Sequence, residues 1–466
     1  MKLTKFTLSL VAMVTISACT SGRQQASLEE ANKEHQSYQE ITKQYQINEE
    51  WWKGYNDPQL DRLVNQALEN NVNLAKAAIA VNMALYNANL VGANLIPSFN
   101  ANEPVGRSSA TKGIGESDTS MISTGTSRVN HQLGFNLSYT IDLWGRLRDS
   151  ASAAEWEKEA TEQDLQAARL SLINAVVSSY YNLAYYHDAI AVTEKSIKAY
   201  EQINRILTNQ FRAGLIDELS VAQSQQSILS ARNTMISLKS AEKMADQILR
   251  NLLNLAPSQP LVAHYPNLSS VKLQGVDINV PVSAIANRPD LNASLYRLKR
   301  SFKNLSAMEK SWYPTLTLGA SLSASSSKVS DIGDNPVAGG LLSFSLPFLD
   351  WNRVKNNVNL SEEQYKLARL DYTQKITSAL NEIDGYYYAY NQAKASYSNM
   401  RQKYNYDRKI SSYYQQRYEQ GVTELRVWLN ALNTERASEL ALLENKYNLI
   451  KNENAVYQAM AGKYQQ

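Results

Sequence analysis

The sequence of 466 residues contains an internal duplication. Residues match after a shift of 217 positions in the first part of each half, and after a shift of 207 positions in the rest. The matched pairs include Asn70 with Asn287, Leu74 with Leu291, Pro97 with Pro314, Trp144 with Trp351, Arg146 with Arg353, Tyr180 with Tyr387, and Gly214 with Gly421. A spacing that changes once, inside a predicted loop, is typical of an ancient duplication. The fold must therefore build the same structural unit twice.

Two stretches alternate between apolar and polar residues. Apolar residues occupy every odd position from Leu133 to Leu143, and a shorter alternation covers residues 342–348. This period of two predicts strands with one apolar and one polar face, within β-hairpins over residues 98–143 and 315–350. A membrane strand and a strand of a soluble sandwich share this pattern, so both interpretations remain open at this point.

Each alternating stretch ends at a hinge, Asp142–Arg148 in the first half and Asp350–Lys355 in the second. From Arg146 to Phe211 the chain contains neither Pro nor Gly, which predicts a helix on the order of 100 Å long. Its counterpart over residues 353–418 is interrupted only by Gly385. Glycine turns follow both long helices, and antiparallel partner helices follow the turns. Such helices are predicted to pack side by side in coiled-coil fashion.

Each half is therefore predicted to contain a helix, a β-hairpin, a long helix, a glycine turn and a second helix, over residues 57–256 and 287–466. The proline-rich residues 257–286 lie between the halves. We expect them to form a small side domain around the helices together with the N-terminal segment 19–56. A plain linker is the alternative.

The N-terminus has the layout of a secretory signal over residues 1–18. An apolar run from Phe6 to Ile16, too short to span a bilayer, is followed by small residues and by Cys19, the single cysteine of the chain. This layout resembles a bacterial lipobox, which implies that Cys19 carries a diacylglycerol and an N-acyl chain such as palmitate. Thr20 favours the outer membrane, by resemblance to bacterial lipoproteins. An ordinary signal peptide with an incidental cysteine is the alternative.

The four predicted strands cannot form a membrane structure within one chain. In lipid every backbone group must be paired, so only a closed barrel can span, and single-chain barrels begin at about eight strands. Copies of the chain must therefore pool their strands. A trimer with twelve strands is the expected solution. A dimer with eight remains possible, although side chains would nearly fill its interior.

Catalysis and nucleic-acid binding find no support in the sequence. The net charge is only +3. The four histidines are scattered, without metal-ligand spacing, and neither a phosphate-binding glycine loop nor a nucleophile motif is present. Their positions are His35, His131, His187 and His264. We therefore expect no enzyme activity, no metal site and no cofactor other than the lipid on the cysteine.

Taken together, these motifs resemble the outer-membrane factor family of tripartite efflux pumps, the TolC-like channels, and specifically their lipoprotein branch. The resemblance rests on the lipobox, Trp52–Leu60, Asp142–Arg146, Asn287–Leu291, Tyr313–Leu316 and the two glycine turns. It implies an α+β membrane protein: a homotrimer with a 12-stranded outer-membrane β-barrel, a long α-helical periplasmic barrel built from tandem repeats, and an equatorial side domain.

The resemblance also implies a function and partners. Family members receive substrates from an inner-membrane transporter, here expected to be proton-driven, through a periplasmic adaptor, and act as passive exit ducts in multidrug efflux and antibiotic resistance. An outer-membrane channel for type I protein secretion is the second hypothesis. A non-channel periplasmic coiled-coil scaffold is the third. The substrate range does not follow from the sequence.

The expected working end is the pair of glycine turns. The residues that resemble the adaptor-docking tips of the family are Gly214, Leu215, Asp217 and Glu218 in the first half, and Gly421, Val422, Thr423 and Glu424 in the second. The residues expected at the periplasmic gate are Tyr418, Val427 and Asn430. Many relatives carry aspartates at the last two positions, where they ring the closed pore. Asp217, Glu218 and Glu424 are the nearby acids able to replace that ring. Tyr418 matches a family tyrosine that ties the tip shut, with helix packing as the alternative role.

Overall fold

The computed structural model describes residues 24–102, 105–108, 128–261, 264–334 and 336–465. The predicted signal segment, the predicted lipid site at Cys19 and the tip of the first hairpin lie outside the described residues. The chain divides into two compact units. The first contains the residues up to Ala31, Val81–Ala160 and Ser294–Tyr372, and the second contains Asn32–Ala80, Thr161–Ala293 and Thr373–Gln466.

The elements follow the predicted repeat. The first half contains α2 (Pro58–Asn70), α3 (Val72–Gly92), β2 (Ser98–Asn102), β3 (Val105–Ser108), β4 (Arg128–Ile141), α4 (Arg146–Arg212) and α5 (Glu218–Leu252). The second half contains α6 (Pro289–Glu309), β5 (Thr315–Ser326), β6 (Pro336–Ser345), α7 (Trp351–Glu419) and α8 (Leu425–Ala459). Helix α1 (24–42) and strands β1 (Gln46–Asn48) and β7 (Lys463–Gln465) lie outside the repeats. Among the described residues, no helix is both long and apolar enough to cross a bilayer.

The sheet of the first unit has one apolar and one polar face. Its strand order is β2-β4-β5-β6, and β3 also pairs with β4. Residues directly opposite in the antiparallel register share a face, and apolar residues meet apolar ones. Such pairs are Phe99 with Leu137, Phe135 with Leu322, Ile141 with Leu316, and Leu318 with Leu342. The predicted alternation is confirmed.

The second alternating stretch is shorter than predicted. We predicted a strand pattern over residues 342–348, but β6 ends at Ser345 and a 3₁₀ turn follows over Pro347–Asp350. Pro347 has no backbone N–H for a strand ladder, which explains why the pairing stops before it.

The first hinge is fixed by side-chain contacts at the start of α4. The Asp142 carboxylate accepts hydrogen bonds from the backbone N–H groups of Leu147 at 3.0 Å and Arg148 at 2.9 Å. It thereby satisfies donors that the helix leaves unpaired. The Trp144 indole N–H donates to the carbonyl oxygen of Pro314 at 2.9 Å, and its ring stacks on Tyr313 with centroids 4.8 Å apart. The hinge motif therefore holds the sheet edge to the helix.

Part of the N-terminal segment is a helix that the sequence did not predict. Within the first unit, the carbonyl oxygen of Gln24 accepts a hydrogen bond from the buried Tyr365 hydroxyl at 3.0 Å. The Gln24 side chain donates to Glu362 at 2.9 Å, and Arg369 donates to Glu30 at 2.8 Å. Partner numbers rise together along α1 and α7, so the two helices run in the same direction there.

The second unit has an aromatic core that includes the side-domain segments. Trp51, Trp52 and Leu268 are buried in one cluster with Tyr180 and Tyr457. The N-terminal segment and the residues between the repeats therefore pack on the helices. Strand β1 pairs with β7 near the C-terminus, with Ile47 opposite Tyr464, a pairing that the sequence did not reveal.

A polar network lies inside this core. The Glu453 side chain is fully buried, and its carboxylate accepts hydrogen bonds from the Tyr55 hydroxyl and from the backbone N–H of Gly275, both at 2.6 Å. The neighbouring Asn454 side chain accepts the indole N–H of Trp51 at 3.0 Å. Burial raises the pKa of Glu453, because the charged form loses its hydration. These bonds fix α8 to the side domain.

The Asn-Arg-Pro-Asp motif has a structural role in the same unit. Arg288 is 8% exposed, and its guanidinium donates to Asp290 at 2.9 Å, to Glu382 at 2.7 Å and to the carbonyl oxygen of Ala459 at 3.0 Å. Burial raises the pKa of Asp290, but the bonds and charge of Arg288 outweigh that effect and the net pKa is lowered. This motif therefore ties the start of α6 to α7 and α8.

Candidate docking and gating site

Both glycine turns adopt the same backbone geometry. Gly214 has φ +71° and Gly421 has φ +70°, values in the left-handed region that favours glycine. The N–H of Leu215 donates to the carbonyl of Gln210 at 2.9 Å, and the second turn repeats this bond. The pattern is a Schellman motif, which satisfies the last carbonyl groups of a helix. The sequence prediction of two equivalent turns is consistent with this geometry.

The helices that follow the turns begin differently. Asp217 caps α5, since its carboxylate accepts the N–H of Ser220 at 3.2 Å. Glu424 occupies the equivalent position before α8 but makes no side-chain cap. Its side chain is 76% exposed and lies 3.7 Å from the Arg426 guanidinium. Both acids, and the exposed Glu218, lie at the positive end of a helix dipole, where carboxylates are favoured.

Apolar side chains are exposed at the tips. Leu215 is 74% exposed and Leu219 is 61% exposed in the first tip, and Val422 is 56% exposed in the second. Thr423 is half-buried. The tips therefore combine exposed apolar residues with acids. Covering such apolar side chains with a partner lowers the free energy.

A small core joins the two hairpins just behind the tips. Its buried members come from α4, α5 and α8, and Ile216, Val221, Tyr418 and Trp428 pack on them. The buried residues are Tyr200, Ile203, Leu207, Ile228, Leu425, Leu429 and Leu432. The Tyr200 hydroxyl donates to the Asn433 side chain at 2.6 Å, and burial raises the pKa of Tyr200 to about 12. The hairpins are therefore packed together within one chain.

Tyr418 packs against an aromatic partner that the sequence did not reveal. Its ring stacks on Trp428 of α8 with centroids 5.4 Å apart and planes at 28°. The Trp428 indole nitrogen is buried and has no hydrogen-bond partner among the described residues. The stack joins the end of α7 to the start of α8. The only sequence signal was an aromatic residue on each side of the Gly421 turn.

The remaining predicted gate residues lie close to this stack in sequence but differ in exposure. Val427 is half-buried and Asn430 is exposed. Because neither carries charge, they cannot form an acidic ring at the gate. Asp217, Glu218 and Glu424 are the acids at the tips that could replace it.

Comparisons with known proteins agree with this architecture. The sequence model of the outer membrane efflux protein family matches residues 63–255 and 280–462. The chain belongs to this family. It is 49% identical over 465 residues to an uncharacterized protein of Haemophilus influenzae, with 99% of each chain covered. It is 48% identical over 462 residues to Toxin and drug export protein A of Aggregatibacter actinomycetemcomitans, with 99% of this chain and 98% of the relative covered.

Solved structures show the same fold. The CmeC outer membrane channel of Campylobacter jejuni superposes with a TM-score of 0.79 at 25% identity, covering 90% of this chain and 89% of that chain. The MtrE outer membrane channel of Neisseria gonorrhoeae superposes with a TM-score of 0.75 at 23% identity, covering 87% and 89%.

Membership in the family has three consequences. The predicted resemblance and the tandem-repeat fold with long helices are confirmed. The protein is an outer-membrane efflux protein with a periplasmic helical region. Its structural neighbours are channels, which fits the expectation that it is not an enzyme. The docking and gating roles of the tip residues stay predictions.

Proposed function

We propose that three copies of this chain form the exit duct of a tripartite efflux system, passive and gated at its periplasmic end. The observation that supports this proposal is the open sheet of the first unit. The sheet has four strand positions. One outer edge is formed by β2 and β3, and the other by β6. Every described residue of β6 is exposed. In lipid the unpaired groups of both edges need partners, and three copies would supply twelve strands.

A second observation supports self-association. Within the second unit, α5 exposes large apolar side chains to more than half of their area. They are Leu229 at 60%, Ile236 at 64%, Met244 at 65% and Ile248 at 53%. Contiguous exposed apolar surface marks an interaction site in soluble regions of proteins. A neighbouring copy is the partner that a trimer brings to this helix.

The register of α1 on α7 supports a lipid anchor at Cys19. Gln24 contacts Glu362, and partner numbers fall together toward the hinge at Trp351. Trp351 lies about 16 Å back along the helix axis at 1.5 Å per residue, and the five residues from Cys19 to Gln24 span at most about 17 Å. A lipid on Cys19 can therefore reach the end of the sheet at the Trp351 hinge. The Cys19→Ser variant should lose its acyl label, and retention of the label would exclude this site.

The tips support a docking and gating mechanism. An adaptor that covers Leu215 and Val422 would approach the Tyr418–Trp428 stack, which joins α7 to α8. Separating these helices requires the stack to break. An adaptor that binds the separated arrangement more tightly would shift the population toward an open tunnel. No cofactor other than the lipid takes part in this mechanism.

Deletion of the gene tests the proposed export role. Cells that lack the protein should become more susceptible to several unrelated toxic compounds, and wild-type protein supplied in trans should restore resistance. Unchanged susceptibility to every compound would contradict drug efflux.

A relative named Toxin and drug export protein A favours protein export as the second candidate function. In that case the deletion strain should retain a protein that the parent strain secretes. Measuring both readouts in one strain separates the two functions, because a dedicated protein exporter would alter secretion alone.

A further inference from the structure

Both repeats place a tryptophan and two basic residues immediately after the sheet. The first repeat reads Trp144-Gly145-Arg146-Leu147-Arg148 and the second reads Trp351-Asn352-Arg353-Val354-Lys355. The sheet register places the two motifs at the same end of the sheet, since Ile141 lies opposite Leu316 and Thr315 lies opposite Ser345. We name residues 143–148 and 349–355, which lie at this end of the sheet and not along its outer strands, the Trp-Arg edge. All of them belong to the first unit.

Large apolar side chains of this edge are exposed. Trp144 is 48% exposed and Trp351 is 55% exposed, beside Leu143 at 57% and Leu349 at 71%. They follow directly on the apolar face of the sheet. Amphipathic rings at the end of an apolar band are typical of the level of lipid headgroups.

The cations of the edge outnumber its acids. The cations are Arg146, Arg148, Arg353 and Lys355 within the edge, with Lys303 and Lys310 of the neighbouring α6 and the turn after it. The acids that pair with them are Asp142, Asp149 and Asp350. Lys303 and Lys310 share the single carboxylate of Asp149. The edge therefore retains positive charge.

The two exposed arginines of the edge differ in how strongly they are neutralised. The Arg148 side chain is 70% exposed and lies 3.4 Å from Asp142, whose carboxylate also accepts two backbone N–H groups of α4. The Arg353 side chain is 79% exposed and lies 3.5 Å from the exposed Asp350. The Arg353–Asp350 pair is exposed on both sides, and such ion pairs are weak and are screened by salt. The Asp142 side chain is only 12% exposed, and Arg148 also donates to the carbonyl oxygen of Asp142 at 3.2 Å. The Arg353 guanidinium is therefore the one of the two that remains available to an anion.

A further acid close to Lys310 does not cancel this charge. Burial raises the pKa of Glu309 to about 7, with a contribution from Glu362. Glu309 therefore carries only part of a negative charge at neutral pH.

We propose that the Trp-Arg edge binds the headgroups of anionic phospholipids in the periplasmic leaflet of the outer membrane. The inference rests on the proposed placement of the sheet in that membrane. The indole rings lie at headgroup level while the arginines and the lysine donate to headgroup phosphates. Because the motif occurs twice in each chain, a trimer presents six copies around its circumference.

The test uses the full-length lipidated protein, reconstituted in vesicles of equal parts phosphatidylethanolamine and phosphatidylglycerol. Retained lipid is counted after gentle extraction by native mass spectrometry. The wild-type protein should enrich phosphatidylglycerol on the order of tenfold, since each cation near an anionic surface adds to binding. The Arg353→Gln/Lys355→Gln variant should lose most of this enrichment. The control Lys239→Gln/Arg401→Gln removes the same charge from exposed sites on α5 and α7 and should keep it.

Several results would overturn the proposal. Equal retention of both lipids by the wild-type protein would exclude anionic recognition. Equal loss of phosphatidylglycerol enrichment in Arg353→Gln/Lys355→Gln and in the control would exclude it as well. An unchanged lipid ratio with altered ion selectivity in planar bilayers would place these cations in the water-filled path. Inorganic phosphate that displaces all bound phosphatidylglycerol would show a free-phosphate site instead. Heat-modifiable trimer migration verifies that each variant is assembled. A protein that retains the lipid but conducts no ions would refute the channel and leave the lipid site standing.

Discussion

Helices α5 and α8 are equivalent in the duplication, yet their surroundings differ. Each has 35 residues and follows a glycine turn of the same geometry. In α5 five residues are buried, all small or apolar, whereas in α8 thirteen are buried. Four of the buried residues of α8 are charged or carry an amide: Glu435, Lys446, Glu453 and Asn454. Duplication thus preserved the backbone while the packing diverged.

The difference indicates separate tasks for the two helices. Helix α8 is held by a core within its own chain: Lys446 is 6% exposed and its ammonium lies 5.3 Å from the centroid of the Tyr397 ring, while burial lowers its pKa. Helix α5 exposes Ile236 and Met244. We infer that α8 stabilises the chain and that α5 contributes mainly to the assembly.

The largest effect is expected for loss of an arginine that holds the end of α8. Arg288→Ala removes the bonds of a buried guanidinium to Asp290, to Glu382 and to the carbonyl oxygen of Ala459. Because one hydrogen bond to a charged group contributes about 1.5–3 kcal/mol, the loss of unfolding free energy should exceed about 3 kcal/mol. The measurement is the midpoint of guanidinium unfolding. Arg232→Ala on α5 is the control, because Arg232 forms an exposed pair with Glu201 at 2.8 Å and should cost below about 1 kcal/mol. Equal losses in the two variants would contradict the contrast between the helices.

An intermediate effect is expected for the exposed face of α5, and it should concern assembly. Ile236→Ala should leave the secondary structure unchanged but lower the temperature at which the trimer dissociates, since covering an isoleucine contributes about 1.5–3 kcal/mol. Heat-modifiable migration measures that temperature. Lys239→Ala, an exposed position on the same helix, is the matched control. If Ile236→Ala dissociates at the wild-type temperature, α5 is not an interface.

A smaller effect, dependent on pH, is expected at the centre of α8. The pKa of Glu453 is raised in the folded protein, so its stabilising contribution is fully present below the ordinary glutamate pKa of about 4.3 and is lost as pH rises through the raised value. The stability of the wild-type protein should therefore fall relative to that of Glu453→Gln over this window, by about 1.4 kcal/mol for each pH unit that separates the folded and unfolded pKa values. Parallel stability curves for the two proteins would show that Glu453 is not the responsible group.

The smallest effect on stability is expected at the tips. Tyr418→Leu removes a stack worth about 0.5–1.5 kcal/mol and should raise single-channel conductance, whereas Tyr418→Phe should keep both the stack and the wild-type conductance. Phe211→Leu is the control from the first repeat, where the equivalent ring is 42% exposed. Conductance that rises equally in Tyr418→Leu and Phe211→Leu, or in neither, would show that the stack does not hold the gate closed.

The sequence predicted those features that leave a local pattern. Alternation from Leu133 to Leu143 located β4, and the absence of Pro and Gly after Arg146 located α4. The packing of residues 24–31 on Tyr365 was missed because this polar segment has no strong apolar period, and its partner lies more than three hundred residues away. The pairing of Ile47 with Tyr464 is equally non-local. Charges such as Glu453 suggest a surface, and only tertiary contacts show that it is buried.

The candidate site was predicted in outline only. Gly214 and Gly421 marked the turns because a left-handed residue is needed there. The stack of Tyr418 on Trp428 depends on how α8 returns along α7, which no periodicity in either helix specifies.

Native mass spectrometry of the detergent-extracted protein tests the central claim most directly, namely that one chain owns a third of a membrane cylinder. The account predicts a particle of three identical chains that stays bound to detergent. A water-soluble single chain would contradict both the shared barrel and the exit duct.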